Sequence, residues 1–333
     1  MPPNLTFFCE LDSPALGSLF SDNTIMETLK SLGAGISLAI MDLSTERADI
    51  VRRLNREGVP VVAWFLPPGQ GWSGLSIHSA PLALQHYQAF SQWTAAHGLV
   101  WERIGIDIQP DMADVQKFMA DRVHLLSHVF RRIFDRRRLA RAEALYRALV
   151  AQIRRDGYPV ESYIFPFIAD ERSARSSLVR RTMGLVDVQT DCEVMIVYSS
   201  FVRPYGLGLM WSYARDAQAL GLGSTGAGSS PIPPLDWEEF SRDLRHAWHF
   251  NDHLYIFSLE GCVEQGFLER LYSFEWDLPV IEPTMQIRAV ERWRRWIQSV
   301  LWITSHLFMI LLAMTGVMLL FGLAWRRFKP ARS

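Results

Sequence analysis

Short apolar runs alternate with longer helical patterns over the first 280 residues, and this alternation constrains the fold more than any other feature. Each run has five to seven residues, and most end at a polar or acidic side chain. A run of this length suits a buried strand, and every gap between runs has room for a helix. The runs are Leu5–Cys9, Gly35–Met41, Pro60–Leu66, Arg103–Ile108, Val160–Phe165, Glu193–Tyr198, Ala219–Gly223 and Leu254–Leu259.

Eight strand–helix units predict an α/β domain with a parallel sheet and helices outside it. A closed (β/α)8 barrel of the TIM type uses about 250 residues as one domain, so we expect a single TIM-like barrel over residues 1–280. The helical patterns cover residues 13–32, 44–57, 81–97, 112–156, 169–185, 205–217, 235–249 and 261–273. The seventh strand is the weakest prediction, because it is short and glycine-rich.

A second constraint is a run of 29 residues, Ile297 to Trp325, that contains no Asp, Glu, Lys or Arg. A helix needs about 20 apolar residues to cross a bilayer. We therefore expect a transmembrane helix at 297–325, after a connector at 281–296 and before a basic tail at 326–333. The N-terminus lacks the pattern of a secretory signal. The sequence thus predicts a tail-anchored, single-pass membrane protein with the lipid bilayer as a partner and the barrel in the cytoplasm.

Charge and residue usage exclude several functions. The 34 basic and 35 acidic residues give a net charge of -1, which argues against binding nucleic acid through charge. Lys30 and Lys117 fall in helical patterns, which leaves no strand lysine for Schiff-base chemistry. The histidines at 246, 249 and 253 fall on an outer helix and a turn, and the three cysteines are widely spaced. We therefore expect no metal and no cofactor.

Acidic and aromatic residues collect near the predicted strand ends, where barrels of this class place their active sites. Glycoside hydrolysis needs two carboxyl groups that flank the scissile bond, and sugars stack on aromatic rings. The pattern predicts a carbohydrate or glycoconjugate as substrate, with Glu260 as proton donor and Asp107 as its partner. The catalytic candidates are Glu260, Asp107, Glu10 and Asp111; the substrate-binding candidates are Gln109, Asp42, Trp64, Trp72, Tyr163, Tyr198 and Trp211.

The segment from Gly105 to Asp111 resembles the fourth-strand motif Gly-x-Asp-x-Asp-x-Glu of chitinase-like TIM-barrel glycosidases. The segment 194–198 is similar to the sixth strand of that family, which carries a Met and a substrate-contacting Tyr. In that family the last Glu of the motif is the acid, and the middle Asp positions the acetamido group of the substrate. This chain departs from the family pattern. Gln109 stands in place of the middle Asp, Asp111 in place of the Glu, and Glu260 near the place of the eighth-strand Trp.

Two other functions remain open at this point. A barrel that binds a sugar or a protein without catalysis would explain the neutral Gln109. A phosphate-ester enzyme could use the glycine-rich segment 221–230, because phosphate-binding barrels place such turns after strands seven and eight.

Overall fold

The computed structural model of the chain describes residues 3–66, 74–110, 132, 135–226 and 233–327, with side chains as far as residue 306. Eight parallel strands close into a barrel in the order β1 to β8, which confirms the predicted TIM-type barrel. The strands are β1 (Asn4–Cys9), β2 (Gly35–Ile40), β3 (Val61–Phe65), β4 (Arg103–Ile106), β5 (Val160–Ile164), β6 (Cys192–Ile196), β7 (Ala219–Gly223) and β8 (His253–Phe257).

Helices cover the outside of this barrel. They are α1 (Ser13–Leu19), α2 (Asn23–Leu32), α3 (Thr45–Arg56), α4 (Ala80–His97), α5 (Arg136–Arg155), α6 (Pro166–Ser173), α7 (Leu178–Met183), α8 (Gly206–Tyr213), α9 (Trp237–Trp248), α10 (Leu259–Glu264), α11 (Phe267–Tyr272) and α12 (Thr284–Arg327). Two 3-10 turns, Ser199–Val202 and Ala214–Asp216, flank α8.

Two of the predicted helices are each divided into a pair by acidic side chains that cap a new N-terminus. Asp22 accepts a hydrogen bond from the backbone N–H of Thr24, which starts α2 after α1 has ended. Glu171 accepts the backbone N–H of Val179, which caps the start of α7. A capping carboxylate satisfies N–H groups that have no partner within the helix, so it favours a break at that point.

The barrel interior is filled mainly by aromatic side chains. Phe8 packs with ring centroids 5.3 Å from Trp64, 5.0 Å from Tyr163 and 5.5 Å from Tyr255. These rings are buried and alternate along their strands with residues that face the outer helices. The period of two in each strand therefore separates this interior cluster from the larger hydrophobic layer between strands and helices.

The glycines of β7 explain why a short, weak strand pattern forms a complete strand. A Cβ on Gly221 would lie 2.8 Å from the Ile196 side chain, and one on Gly223 would lie 2.7 Å from the carbonyl oxygen of Phe257. Both neighbours belong to the adjoining strands β6 and β8. Glycine is thus required at 223, where the neighbour is backbone, whereas at 221 the tip of the Ile196 side chain would have to move.

The C-terminal helix α12 docks on the outer layer before it continues beyond the barrel. The predicted connector, residues 281–296, is helical from Thr284, directly after Pro283, and runs unbroken into the following segment. Arg294 donates to Asp170 at 2.7 Å and to Asp216 at 2.6 Å, and its guanidinium lies 4.1 Å from the ring centre of Tyr213. The helix is therefore fixed to α6 and α8.

Within the described residues, no helix combines the length and the hydropathy that a membrane crossing requires. Most of the predicted span 297–325 lies past residue 306, outside the described side chains, and residues 328–333 of the predicted basic tail lie outside the described residues altogether.

Candidate active site

Three carboxyl groups gather at the C-terminal mouth of the barrel. Glu10 directly follows β1, Asp107 directly follows β4, and Glu260 lies in the first turn of α10, just after β8. The backbone N–H of Glu10 donates to Oε1 of Glu260 at 3.2 Å, which joins the first and last strands of the closed barrel. The structure therefore brings together three of the four catalytic candidates predicted from the sequence.

Glu10 holds its proton unusually strongly. Burial raises the pKa of its carboxyl group from 4.5 to about 8, and the nearby charges of Asp107 and Glu260 add to the rise. A carboxyl group that is removed from water and faces other acids favours the neutral form. At neutral pH, Glu10 is therefore mostly a carboxylic acid that can donate a proton.

Asp107 is also buried, but two neighbouring side chains stabilise its ionised form. Burial raises its pKa from 3.8 to about 7, while the Gln109 amide and the Trp64 indole act in the opposite direction. The amide N–H of Gln109 donates to Oδ2 of Asp107 at 2.5 Å. The Trp64 N–H is buried near this carboxyl group but makes no hydrogen bond of normal geometry in the described residues. Both Asp107 and Glu10 therefore have pKa values raised into the neutral range.

Glu260 combines one anchored oxygen with one oxygen that has no partner. Burial raises its pKa, and backbone N–H groups together with the side chains of Ser258 and Cys9 offset part of the rise. Its buried Oε2 makes no hydrogen bond of normal geometry with any described residue. A buried carboxylate oxygen without a donor is costly, which favours a proton on this atom.

Aromatic rings form a wall beside the carboxyl groups. The ring of Tyr198 stacks on Phe257 with centroids 5.9 Å apart and contacts Phe201 edge-on at 5.2 Å. Trp64 contacts Phe257 on the other side at 6.5 Å. Burial, together with the charges of Asp107 and Glu10, raises the pKa of the Tyr198 hydroxyl, so this group stays a hydrogen-bond donor beside the acids.

Asp42, by contrast, has its carboxylate occupied by structural contacts. It accepts hydrogen bonds from Ser13 at 2.9 Å, from the Ser44 backbone at 3.0 Å and from the guanidinium of Arg47 at 3.0 Å. Burial alone would raise its pKa, but the bonds from Arg47 and Ser44 hold that pKa well below its usual range. The fully buried Arg47 also donates to two backbone carbonyl oxygens. Asp42 and Arg47 therefore form a structural contact that joins the end of β2 to α3.

Two predicted sugar-binding aromatics lie away from the mouth. Tyr163 is inside the barrel, where its hydroxyl donates to Glu161 at 2.8 Å and lies 2.7 Å from the Ser37 hydroxyl. Trp211 is on α8 in the outer layer, and its indole N–H donates to His246 at 2.9 Å. The structure therefore does not bring these two rings to the three carboxyl groups. Trp72 and Asp111 lie outside the described residues.

Sequence reasoning missed the fully buried acid Glu161. Its two oxygens accept hydrogen bonds from the hydroxyls of Tyr163 at 2.8 Å and Tyr255 at 2.7 Å. Burial raises its pKa, and the two tyrosine donors partly offset that rise. Glu161 precedes Tyr163 by two residues in β5, so strand alternation alone places both side chains on the inner face.

The first part of the glycine-rich segment 221–230 has its N–H groups occupied by other parts of the protein. The N–H groups of Ser224, Thr225 and Gly226 donate to the Ser200 hydroxyl, the Phe257 carbonyl and the Ser224 hydroxyl. A phosphate-binding turn needs such groups to point at the ligand. Residues 227–230 lie outside the described residues. Among the described residues, no group of His, Cys, Asp and Glu is arranged to hold a metal ion.

No known protein family matches the chain, and no curated protein sequence does. Among solved structures, the chain is similar to the PgaB (BpsB) glycoside hydrolase domain from Bordetella bronchiseptica, at 12% identity over 82% of this chain and 98% of that one, with a TM-score of 0.46. An AP endonuclease of family 2 from Brucella melitensis matches at 11% identity over 79% and 98%, with a TM-score of 0.42. A 3-keto-D-glucoside 4-epimerase from E. coli matches at 13% over 88% and 99%, with a TM-score of 0.40. Similarities this distant carry no argument about activity, and the chitinase-like resemblance stays a prediction.

Proposed function

We propose that the chain is a glycoside-hydrolase-like barrel that acts on a carbohydrate or glycoconjugate at its C-terminal mouth. The observation that carries the proposal is the cluster of Glu10, Asp107 and Glu260 at one mouth of the barrel, where burial raises the pKa of each carboxyl group. Neighbouring buried carboxyl groups with raised pKa values can supply an acid and a base at the same pH.

In this proposal Glu10 donates a proton to the leaving oxygen, and Asp107 acts as base or nucleophile. The Gln109 amide orients Asp107 as a positioning residue. Glu260 holds the backbone of Glu10 through Oε1 and so fixes the position of the proton donor. The exposed ring of Phe201, beside Tyr198 in the aromatic wall, offers an apolar face for a sugar. These roles differ from the sequence prediction, in which Glu260 was the preferred proton donor and Glu10 the alternative.

Hydrolysis of a panel of aryl glycosides and oligosaccharides tests the proposal. Both Glu10→Gln and Asp107→Asn should lower the rate by about 10²–10⁴-fold, the usual contribution of a positioned acid or base. Glu57→Gln is the matched control, because this carboxylate is exposed and paired with Lys30 at 2.7 Å. Unchanged hydrolysis in both site variants would reject the assignment.

A binding barrel without catalysis is the second candidate, and one observation favours it. The Gln109 amide occupies an oxygen of Asp107 at the position where the chitinase-like motif has a second acid. Saturable binding of an oligosaccharide, measured by tryptophan fluorescence and lost in Phe201→Ala, would support this function if the panel shows no turnover. Hydrolysis that depends on Asp107 would exclude it.

The membrane tether at 297–325 also remains a proposal, supported by the absence of charged residues in that run. Extraction of the full chain from membranes by carbonate tests it, because a spanning helix stays with the lipid. Protease treatment of sealed vesicles tests the proposed cytoplasmic position of the barrel. Release by carbonate would refute the tether.

A further inference from the structure

A basic groove lies on the outer helical layer, away from the barrel mouth. It has a volume of about 620 Å³ and lies between α5, the corner from α6 to α7, and α12. Five arginines and one glutamate, Glu143, contribute to its lining, and Ser305 of α12 closes one side. We propose that this groove binds a phosphate group, carried by an anionic lipid or by a soluble phosphate compound.

Four of the five arginines of this groove divide into two sets. Arg172 and Arg180 are held in place by ion pairs, Arg172 with Asp187 and Glu193, and Arg180 with the buried Glu171 at 2.9 Å. These two side chains therefore have fixed positions in the lining of the groove.

Arg136 and Arg175 form the second set: both are exposed, and neither makes an ion pair with any residue in the described part of the chain. The groove thus combines a rigid frame with two guanidinium groups that still have donors to offer.

Positive charge exceeds negative charge locally. Glu143 already accepts from Arg180 at 3.1 Å and lies 3.9 Å from Arg147. The pKa of Arg181 is lowered by burial first and then by the charges of Arg136 and Arg180. Guanidinium groups that repel one another are stabilised by an anion between them, and their planar donors match the oxygens of a phosphate.

The turn that ends α6 places Arg175 at the groove. Its φ angle is +50°, in the left-handed region that commonly terminates a helix, and the N–H of the following Ser176 donates to the carbonyl oxygen of Glu171 at 2.9 Å. Arg175 therefore lies at the corner from α6 to α7 that lines the groove. The chain has a net charge of -1 and this basic region is a single concave groove, which suits one phosphate group better than a nucleic-acid backbone.

The position of Ser305 favours a lipid as the source of the phosphate group. This argument rests on the proposed membrane tether. Ser305 lies within the uncharged run 297–325, so the groove adjoins the start of the proposed span. On the same helix Trp296 and Trp302 are 68% and 51% exposed. Tryptophan is typical of the membrane interface, where lipid phosphates lie. The phosphate site itself does not depend on the tether or on the chemistry at the barrel mouth.

Calorimetric titration of the full chain in an uncharged detergent tests the proposal with three probes: inorganic phosphate, dihexanoyl phosphatidic acid and dihexanoyl phosphatidylcholine. The double variant Arg136→Ala/Arg175→Ala should raise the Kd for inorganic phosphate or phosphatidic acid at least about tenfold, because two charge-assisted donors are lost. Arg155→Ala is the matched control, at the far end of α5, about 28 Å away along the helix. Thermal unfolding of each variant verifies that it is folded.

The outcomes separate the two sources. Saturable binding of inorganic phosphate that the double variant weakens supports the site with a soluble ligand. Binding of phosphatidic acid alone, with the same dependence on the two arginines, supports it with a lipid ligand. The proposal is overturned if neither probe saturates, if phosphatidylcholine binds equally well, or if Arg155→Ala weakens binding as much as the double variant does. Because Glu10→Gln should leave this binding unchanged, failure here is distinct from failure of the glycosidase proposal.

Discussion

The raised pKa of Glu10 predicts how the stability of the barrel depends on pH, and this prediction needs no knowledge of the substrate. The group has a pKa of 4.5 in an unfolded chain and about 8 in the folded one. The folded state therefore holds a proton that the unfolded state releases. This contribution to stability is complete below about pH 4.5 and is lost as the pH rises through 8.

The magnitude follows from the difference between the two pKa values. A difference of 3.5 corresponds to about 5 kcal/mol at 1.36 kcal/mol for each pH unit. Asp107 and Glu260 contribute to the rise and can take up protons themselves, so we expect Glu10 alone to account for about 2 to 3 kcal/mol. Glu10→Gln mimics the protonated form. Between pH 5 and pH 9 it should therefore keep the share of the free energy of unfolding that the wild type loses through Glu10.

Urea unfolding of the full chain, followed by tryptophan fluorescence at pH 5 and pH 9, measures this effect. The free energy of unfolding of the wild type should fall more between the two pH values than that of Glu10→Gln. Glu57→Gln should follow the wild type, because that carboxylate is exposed and ionised throughout this range. Equal losses in the wild type and in Glu10→Gln would show that Glu10 is not part of a buried acid cluster.

Three further substitutions test the scaffold through thermal unfolding. Arg47→Ala should cost about 2–5 kcal/mol, because it removes a fully buried side chain and leaves the carbonyl oxygens of Ala39 and Leu11 without their donor; a cost under about 1 kcal/mol would contradict this structural role. Gly105→Ala should cost about 1–3 kcal/mol, since its methyl group would overlap the Tyr163 hydroxyl, and Tyr163→Phe should recover part of that cost in the double variant. Arg294→Ala should cost about 3 kcal/mol by leaving Asp170 buried without its guanidinium, and Arg295→Ala, an exposed neighbour, should cost under about 0.5 kcal/mol.

The sequence predicted the barrel well because its fold depends on local periodicity. Each apolar run became a strand within about two residues of its expected bounds, since a strand of a parallel barrel is buried on both faces and needs an unbroken apolar run. The position of Glu10, Asp107 and Glu260 at one mouth followed from the same rule, because parallel strands all end on one side.

Positions of side chains within the helical layer could not be predicted in the same way. Trp211 was expected among the sugar-binding aromatics, but the face of α8 that it occupies depends on packing against His246 and Phe250. Asp42 has the predicted place after β2, yet it is held by the buried Arg47 of the next helix, a partner that the sequence pattern did not single out. Tertiary partners of this kind leave no trace in a periodic pattern.

The unbroken course of α12 has a mechanical consequence. Its 44 residues extend over about 66 Å, and Arg294 fastens its first half to the flank of the barrel. A barrel on a slack linker could turn its mouth in any direction. With the proposed anchor in place, the barrel and the helix would tilt as one rigid body. The helix would then set the direction in which the mouth faces and its height above the bilayer. The distance of a substrate from the membrane, as well as its chemistry, would then determine whether it reaches the mouth.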